Sequence, residues 1–196
     1  MLKQFLFSSA LILLLTSCNK NTVFSEVKIA NRYTISVADY MQPCSDIQKD
    51  ASLQYQNIEK DIYMIVIDEK KKMIQDYNLE YDIDTYFKNI TSKGFSESIS
   101  DGKISIPGRQ EINGHKALIA DVTGKVEKNE VYYKLALIET SYAFYQILIW
   151  ANAQNKEKFE SDMVTMIESF KELPISKSEL PELKVRDSLS ITSPVN

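Results

Sequence analysis

Glycine is scarce in this 196-residue chain, with five in all. So few leave no room for the glycine-rich loops that cradle phosphates or dinucleotides, and neither a P-loop nor a G-x-S-x-G elbow occurs. A single histidine, His115, cannot assemble a His-type zinc site. The two cysteines, Cys18 and Cys44, are too far apart to form a C-x-x-C pair. Basic excess is missing as well: 23 Lys and Arg stand against 27 Asp and Glu, a net charge of −4. The tightest basic run, Lys70-Lys71-Lys72, adjoins Asp68 and Glu69. Phosphate contacts need clustered cations, so nucleic acid is excluded as a partner. These gaps leave no cofactor to hold and no catalytic set, and the expectation is a protein that is not an enzyme.

The long apolar run that is present lies at the N-terminus. Lys3 supplies a positive start, Leu6 to Leu15 an apolar stretch, and Thr16-Ser17 two small residues before Cys18. That is the order of parts in a secretion signal. Spanning a bilayer takes about 20 apolar residues, and polar Asn19, Lys20 and Asn21 end the run well short of that. Leu15-Thr16-Ser17-Cys18 resembles a bacterial lipoprotein lipobox. The resemblance implies that residues 1–17 are a signal peptide that is cut away and that Cys18 becomes the first residue and the lipid attachment site. Two or three palmitate-type acyl chains then hold the protein to a membrane, each buried methylene contributing about 0.8 kcal/mol. Asn19, Lys20 and Asn21 include neither an Asp after the cysteine nor an acidic cluster. By the same resemblance the expected address is the cell envelope, on an outer membrane and facing the periplasm.

Removing seventeen residues leaves 179 and takes away one charge, Lys3, so 22 basic residues face 27 acidic ones, a net charge of −5. That length is one domain on the prior of about 100 to 200 residues. Residues 18–31 are polar and aperiodic and read as a lipidated tether, 32–173 as the domain, and 174–196 as a polar, loosely ordered tail punctuated by Pro174, Pro181 and Pro194.

Within the domain, Tyr33 to Val37 and Leu53 to Gln56 alternate as strands. Ile62 to Ile67 is apolar at both parities, which a strand tolerates only when both faces are covered. Leu79, Ile83, Tyr86, Phe87 and Ile90 recur at helical spacing, with Gly94 as a stop. From Lys103 to Ala151 the chain reads as an antiparallel meander. Asn113-Gly114 marks a type I′ hairpin, and Val131 to Ile138 and Phe144 to Trp150 are again apolar at both parities. A second stripe, Phe159, Met163, Met166, Ile167 and Phe170, supplies another helix. The fold class expected is α/β of the α+β type, a three-layer α/β/α sandwich around a mainly antiparallel sheet.

Tyr33-Thr34-Ile35-Ser36-Val37, the Glu111 to Ala117 hairpin, Tyr133-Lys134-Leu135-Ala136, Phe144-Tyr145-Gln146-Ile147 leading to Trp150, and Ser169-Phe170-Lys171 together resemble the PsbP-like family. That family includes the bacterial lipoprotein DcrB. The likeness covers about Asn31 to Leu173, and its motifs are turns, core aromatics and a helix end. It implies a fold and a theme of non-catalytic accessory binding, and it carries over no site residue.

The remaining candidates each have a structural reading. His115 follows the Asn113-Gly114 turn; catalysis would need it oriented by a carboxylate and close to a nucleophile, and it reads instead as an exposed strand-start residue. Asp82 and Asp84, with Glu80, lack the further oxygen ligands and glycine of a calcium loop and read as helix-capping acids. Cys44 is left without an intramolecular partner once Cys18 is lipidated. It is a reactive thiol, an intermolecular disulfide or a buried small hydrophobe, and the last is favoured because no His or second Cys is near. Tyr81, Tyr86, Tyr132, Tyr133, Tyr142 and Tyr145 are candidates to line a groove, although half-buried strands and helix edges favour tyrosine for packing alone. Asp187-Ser188-Leu189 resembles a periplasmic O-glycosylation acceptor. The functional expectation is a non-enzymatic, membrane-held accessory or protein-binding module with an unidentified envelope protein as partner. The alternative is a small-ligand carrier or an enzyme whose pocket the sequence does not reveal.

Overall fold

The computed structural model describes residues 21–77, 79, 81–92 and 99–175. Eight strands build the main sheet: β3 (Gln42–Pro43), β4 (Leu53–Asn57), β5 (Ile62–Lys70), β6 (Ser100–Ile104), β7 (Gly108–Ile112), β8 (His115–Val126), β9 (Asn129–Glu139) and β10 (Ala143–Asn152). Their order is β3-β4-β5-β10-β9-β8-β6, with β7 paired to β8 beside β6. Every pairing is antiparallel. A second sheet of three strands, in the order β1-β2-β11, comprises β1 (Phe24–Ile29), β2 (Tyr33–Ala38) and β11 (Lys171–Glu172). The helices are α1 (Lys71–Asp76), α2 (Ile83–Ile90) and α3 (Lys156–Glu168).

The double-parity apolar strands sit at the centre of the main sheet, as their composition requires. On one face Ile62, Met64 and Val66 of β5, Ala136 and Ile138 of β9, and Tyr145, Ile147 and Ile149 of β10 pack with Phe159, Met163, Met166 and Ile167 of α3 and with Tyr33, Ile35 and Val37 of β2. The rings of Tyr33, Tyr145 and Phe170 meet at 4.7 to 5.5 Å between centroids and join the two sheets to the end of α3. On the other face Leu118, Ala120, Val122, Leu135, Leu137 and Phe144 pack with Ile74 of α1 and with Ile83, Tyr86 and Phe87 of α2. Burying each of the Val, Leu, Ile, Phe and Met side chains among them contributes about 1.5–3 kcal/mol. The fold is therefore the mixed α/β, mainly antiparallel layered sandwich expected, with the small sheet sharing a layer with α3.

Three details differ from expectation. Residues 24–29, assigned to the tether, form β1, which pairs with β2 from Phe24↔Ala38 to Ile29↔Tyr33. Phe24, Val27 and Ile29 pack on the core while Ser25, Glu26 and Lys28 are exposed, and the two adjacent polar residues break the alternation that would have declared a strand. The first helical stripe is shorter than Leu79 to Ile90 suggests: α2 starts at Ile83, and Leu79 stands outside it, partly exposed. A separate short helix, α1, begins within the lysine run. At the other end the described chain stays with the domain as far as Ile175, which packs against the core. Cys18, Glu80, Gly94 and Ser188, residues 1–17 and the tail from 176 onward lie outside the described residues.

The turns match their chemistry. Asn113 and Gly114 both have positive φ, 47° and 86°, as the type I′ turn between β7 and β8 demands. The Asn113 side-chain amide also donates to the Phe170 carbonyl at 2.6 Å, fastening this hairpin to the end of α3.

Candidate functional site

The face of the main sheet beneath α1 and α2 is covered only in part. Along β10 the residues pointing to that face are Phe144, Gln146, Leu148 and Trp150, and burial decreases from the first to the other three. Tyr86 of α2 stacks on Phe144 at 4.3 Å, with planes 8° apart, and closes that end. Towards Trp150 no helix among the described residues lies over the strands. The pairing Tyr63↔Trp150↔Tyr133 across β5, β10 and β9 sets three aromatic rings side by side there. Their centroids are 5.4 and 5.5 Å apart and their planes 17° and 26° from parallel, so they stand as a stack.

Between this stack and the helices runs a groove of about 970 Å³, floored by Ile65, Ile67, Leu148 and Trp150 and walled by Ile74, Tyr81, Tyr86 and Ile90. Met73, Tyr77 and Leu79 line its rim and are 57%, 76% and 44% exposed. Two of the polar groups at the groove are engaged within the domain. Gln146 donates from Nε2 to the Tyr86 hydroxyl at 2.8 Å. Burial pushes that phenol above its ordinary range, and Glu69 beside it adds to the rise. Asp68 accepts both contacts of the Arg32 guanidinium at 2.6 and 2.7 Å. The described lining contains no serine, threonine, cysteine or histidine.

Elsewhere the sequence candidates separate. Asp82 caps α2, its carboxylate accepting the Thr85 N–H at 2.8 Å, and this bond holds its pKa below the ordinary value. Asp84 sits in the first turn and pairs with Arg109 across to β7. Both acids thus serve the helix end, as the capping reading has it. His115 is the first residue of β8, opposite Ile112, where a strand-start residue belongs. Cys44 differs from expectation. It lies half-buried just after β3, so it is not the core hydrophobe favoured from sequence. Pro43, Ser45 and Asp46 beside it in the chain are exposed, so this stretch lies at the surface and covers the thiol only in part. Burial and then Asp46 raise its thiol pKa, which disfavours the thiolate.

Of the six tyrosines, Tyr81, Tyr86 and Tyr133 line the groove, whereas Tyr132, Tyr142 and Tyr145 are buried in the core on the opposite face of the sheet. Strand parity divides them: Tyr132 and Tyr133 are neighbours in sequence and so must point to opposite faces. Sequence reasoning missed Tyr63 and Trp150 because their proximity depends on strand register. Among the described residues no three His, Cys, Asp or Glu side chains gather as a metal-holding group, and no helix is long and apolar enough to cross a membrane.

The described residues form a layered, mainly antiparallel sheet with a helix and a small sheet on one face and an open apolar groove on the other. No protein-family model matches the chain, and no curated protein matches it in sequence. Among solved structures it is similar to cyanobacterial PsbP (CyanoP) from Synechocystis sp. PCC 6803, with a TM-score of 0.57 and 11% identity, over 81% of this chain and 98% of that one. It is also similar to LpqN of Mycobacterium tuberculosis, a protein involved in cell envelope biogenesis, with a TM-score of 0.51 and 10% identity, over 79% and 93% of the two chains. The fold is therefore PsbP-like.

Proposed function

We propose that this chain is a non-enzymatic binding module of the bacterial cell envelope, held by lipid at Cys18 to the periplasmic face of an outer membrane, and that its groove receives an apolar segment of another envelope protein. The observation that carries the reading is the rim. Met73, Tyr77 and Leu79 are large apolar side chains left in water beside a groove that continues their surface. Contiguous apolar exposure of this kind marks an interaction surface. A small-molecule carrier would enclose most of its ligand, whereas this rim lies open. With Asp68 paired to Arg32, Asp50 and Glu69 outnumber Lys70 in the lining and favour a partner segment flanked by basic residues. The address rests on the order Leu15-Thr16-Ser17-Cys18, and a fold shared with an envelope-biogenesis protein is compatible with it.

The test is photo-crosslinking in intact cells from a reactive side chain placed at Tyr77, with Lys158 on α3 as the comparison site. A discrete partner captured from position 77 and not from 158 is expected, and Met73→Asp should abolish that product. Identical products from both positions, or none from either, overturn the docking surface. Cys18→Ser should block processing; a mutant still matured and membrane-bound overturns the anchor.

A further inference from the structure

Thr22, four residues after Cys18, is already fastened to the domain. Its hydroxyl donates to Asp162 Oδ2 at 2.8 Å, the same oxygen that accepts the Tyr40 hydroxyl at 2.9 Å. The Val23 carbonyl accepts the Asp39 N–H at 2.8 Å, and β1 begins at Phe24. A chain of four residues reaches about 14 Å at most, since extended backbone advances about 3.3–3.6 Å per residue. Resting on the lipid-anchor reading above, we infer that the end of the molecule around Thr22 lies on the phospholipid surface, with Val23 and Ile58 at the headgroups.

The register shows what that end contains. Tyr40 follows β2, and its carbonyl accepts the Asn57 side-chain amide at 2.5 Å. Asn57 opens the turn from β4 to β5, where Ile58 is 70% exposed, and Lys60 Nζ lies 4.2 Å from the centre of the Tyr40 ring. Val23, 60% exposed, is the other large apolar side chain here. Isolated apolar residues in water have little reason to stay there when a bilayer is within tether reach, and a short tether makes the encounter intramolecular. Charge does not set this orientation: Lys60 and Lys158 are offset by Asp39, Glu59 and Asp61. The contact is therefore expected to persist at high salt, unlike one made by a polybasic patch.

The same end carries the open part of the groove. Tyr63 lies just past the Ile58 turn, and Trp150 and Tyr133 follow it in register. Tyrosine and tryptophan favour the membrane–water boundary, where one part of the ring is apolar and another wet. The groove thus runs from the bilayer upward, and a partner segment enters it near the membrane surface.

The experiment uses the full chain, lipidated by its host and reconstituted in phosphatidylcholine vesicles containing headgroup spin-labelled phosphatidylcholine. Trp150 is the one tryptophan of the sequence, so Trp150→Phe clears the background. Ile58→Trp and Ser141→Trp are then added singly. Ser141, in the turn between β9 and β10, lies at the far end of the sheet. The ten residues of β10 put about 33 Å between the two ends, so Ile58→Trp emission should fall about twofold or more while Ser141→Trp emission stays within about a tenth of its unquenched value. Equal quenching at both sites, or none at either, with acyl chains present in the intact mass, overturns the orientation alone. A mass without acyl chains overturns the anchor and the orientation together.

Discussion

Lys134 Nζ lies 2.6 Å from Asp121 Oδ1, beneath α3 and on the face of the sheet opposite the groove. Glu160 of α3 accepts from the same ammonium at 2.9 Å, and the Tyr132 hydroxyl bridges both carboxylates at 3.0 Å. The cluster pins the helix to β8 and β9 through charge-assisted bonds.

Replacing the cation tests this directly. Lys134→Ala leaves the Asp121 and Glu160 carboxylates with Lys156, 3.6 Å from Asp121 Oδ2, as the remaining cation of the cluster and should cost about 2 kcal/mol at neutral pH, the scale of a charged hydrogen bond lost. For Asp121, burial raises the carboxyl pKa, but the Lys134 hydrogen bond and charge more than offset it. Glu160 is lowered chiefly by the Lys134 hydrogen bond. Groups lowered on folding stabilise above their unfolded pKa, about 4, and lose that contribution as pH falls through the folded value. The gap between wild type and Lys134→Ala in urea unfolding should thus be constant from pH 7 to about 5 and close below about 4.

Two glycines should respond oppositely. A Cβ at Gly124 would stand 2.3 Å from Ile99 Cγ2 and 2.9 Å from the Ser100 carbonyl oxygen, so Gly124→Ala must displace β6 and the groove-lining Ile99. A loss of about 1–3 kcal/mol is expected for such overpacking. At Gly108 the nearest atom is 3.8 Å away, and Gly108→Ala should stay within about 0.5 kcal/mol by thermal melting.

Core and groove are separable. Met163→Ala empties a fully buried site under the main sheet and should cost about 2–5 kcal/mol while leaving the surface chemistry alone. Trp150→Ala removes the middle ring of the stack and should cost about 1–2 kcal/mol. It should nonetheless abolish partner capture from position 77. Retained capture in Trp150→Ala would take the stack out of the docking surface.

Cys44 offers a readout of its loop. Half-exposed, it should label in the native protein, slowly at pH 7 because burial and Asp46 disfavour the thiolate. The rate should rise about tenfold per pH unit until the thiol ionises, and Asp46→Asn should accelerate it at fixed pH. Labelling only after denaturation would overturn the half-buried placement of the thiol.

The parts of the fold that were legible are those where one residue has one physical use. Asn113-Gly114 demanded a left-handed turn, Asp82 a helix start, and the two-sided apolar runs of β9 and β10 a cover on each face. β1 escaped because one of its faces meets solvent and two polar residues stand together in it. α1 escaped because it has no side-chain cap and opens inside a charge run. The groove was legible only in fragments. Tyr81, Tyr86 and Tyr133 are groove candidates by residue type alone, but Tyr63 and Trp150 are 87 positions apart and meet only through β5–β10 pairing. One local signal was available: Gln146 is the polar interruption on an otherwise apolar strand, and it marks the face that is not sealed.

The outer strands of the main sheet have a consequence of their own. Among the described residues one margin is β3, two residues long and ending in Pro43, which has no amide hydrogen to give. The other is divided between β6, with its register shift between Ser100 and Lys103, and β7, which carries Arg109 and Glu111 outward. Neither margin offers a straight ladder on which a foreign strand could continue. Copies of the chain should therefore not join edge to edge through the main sheet, which leaves its open face uncovered.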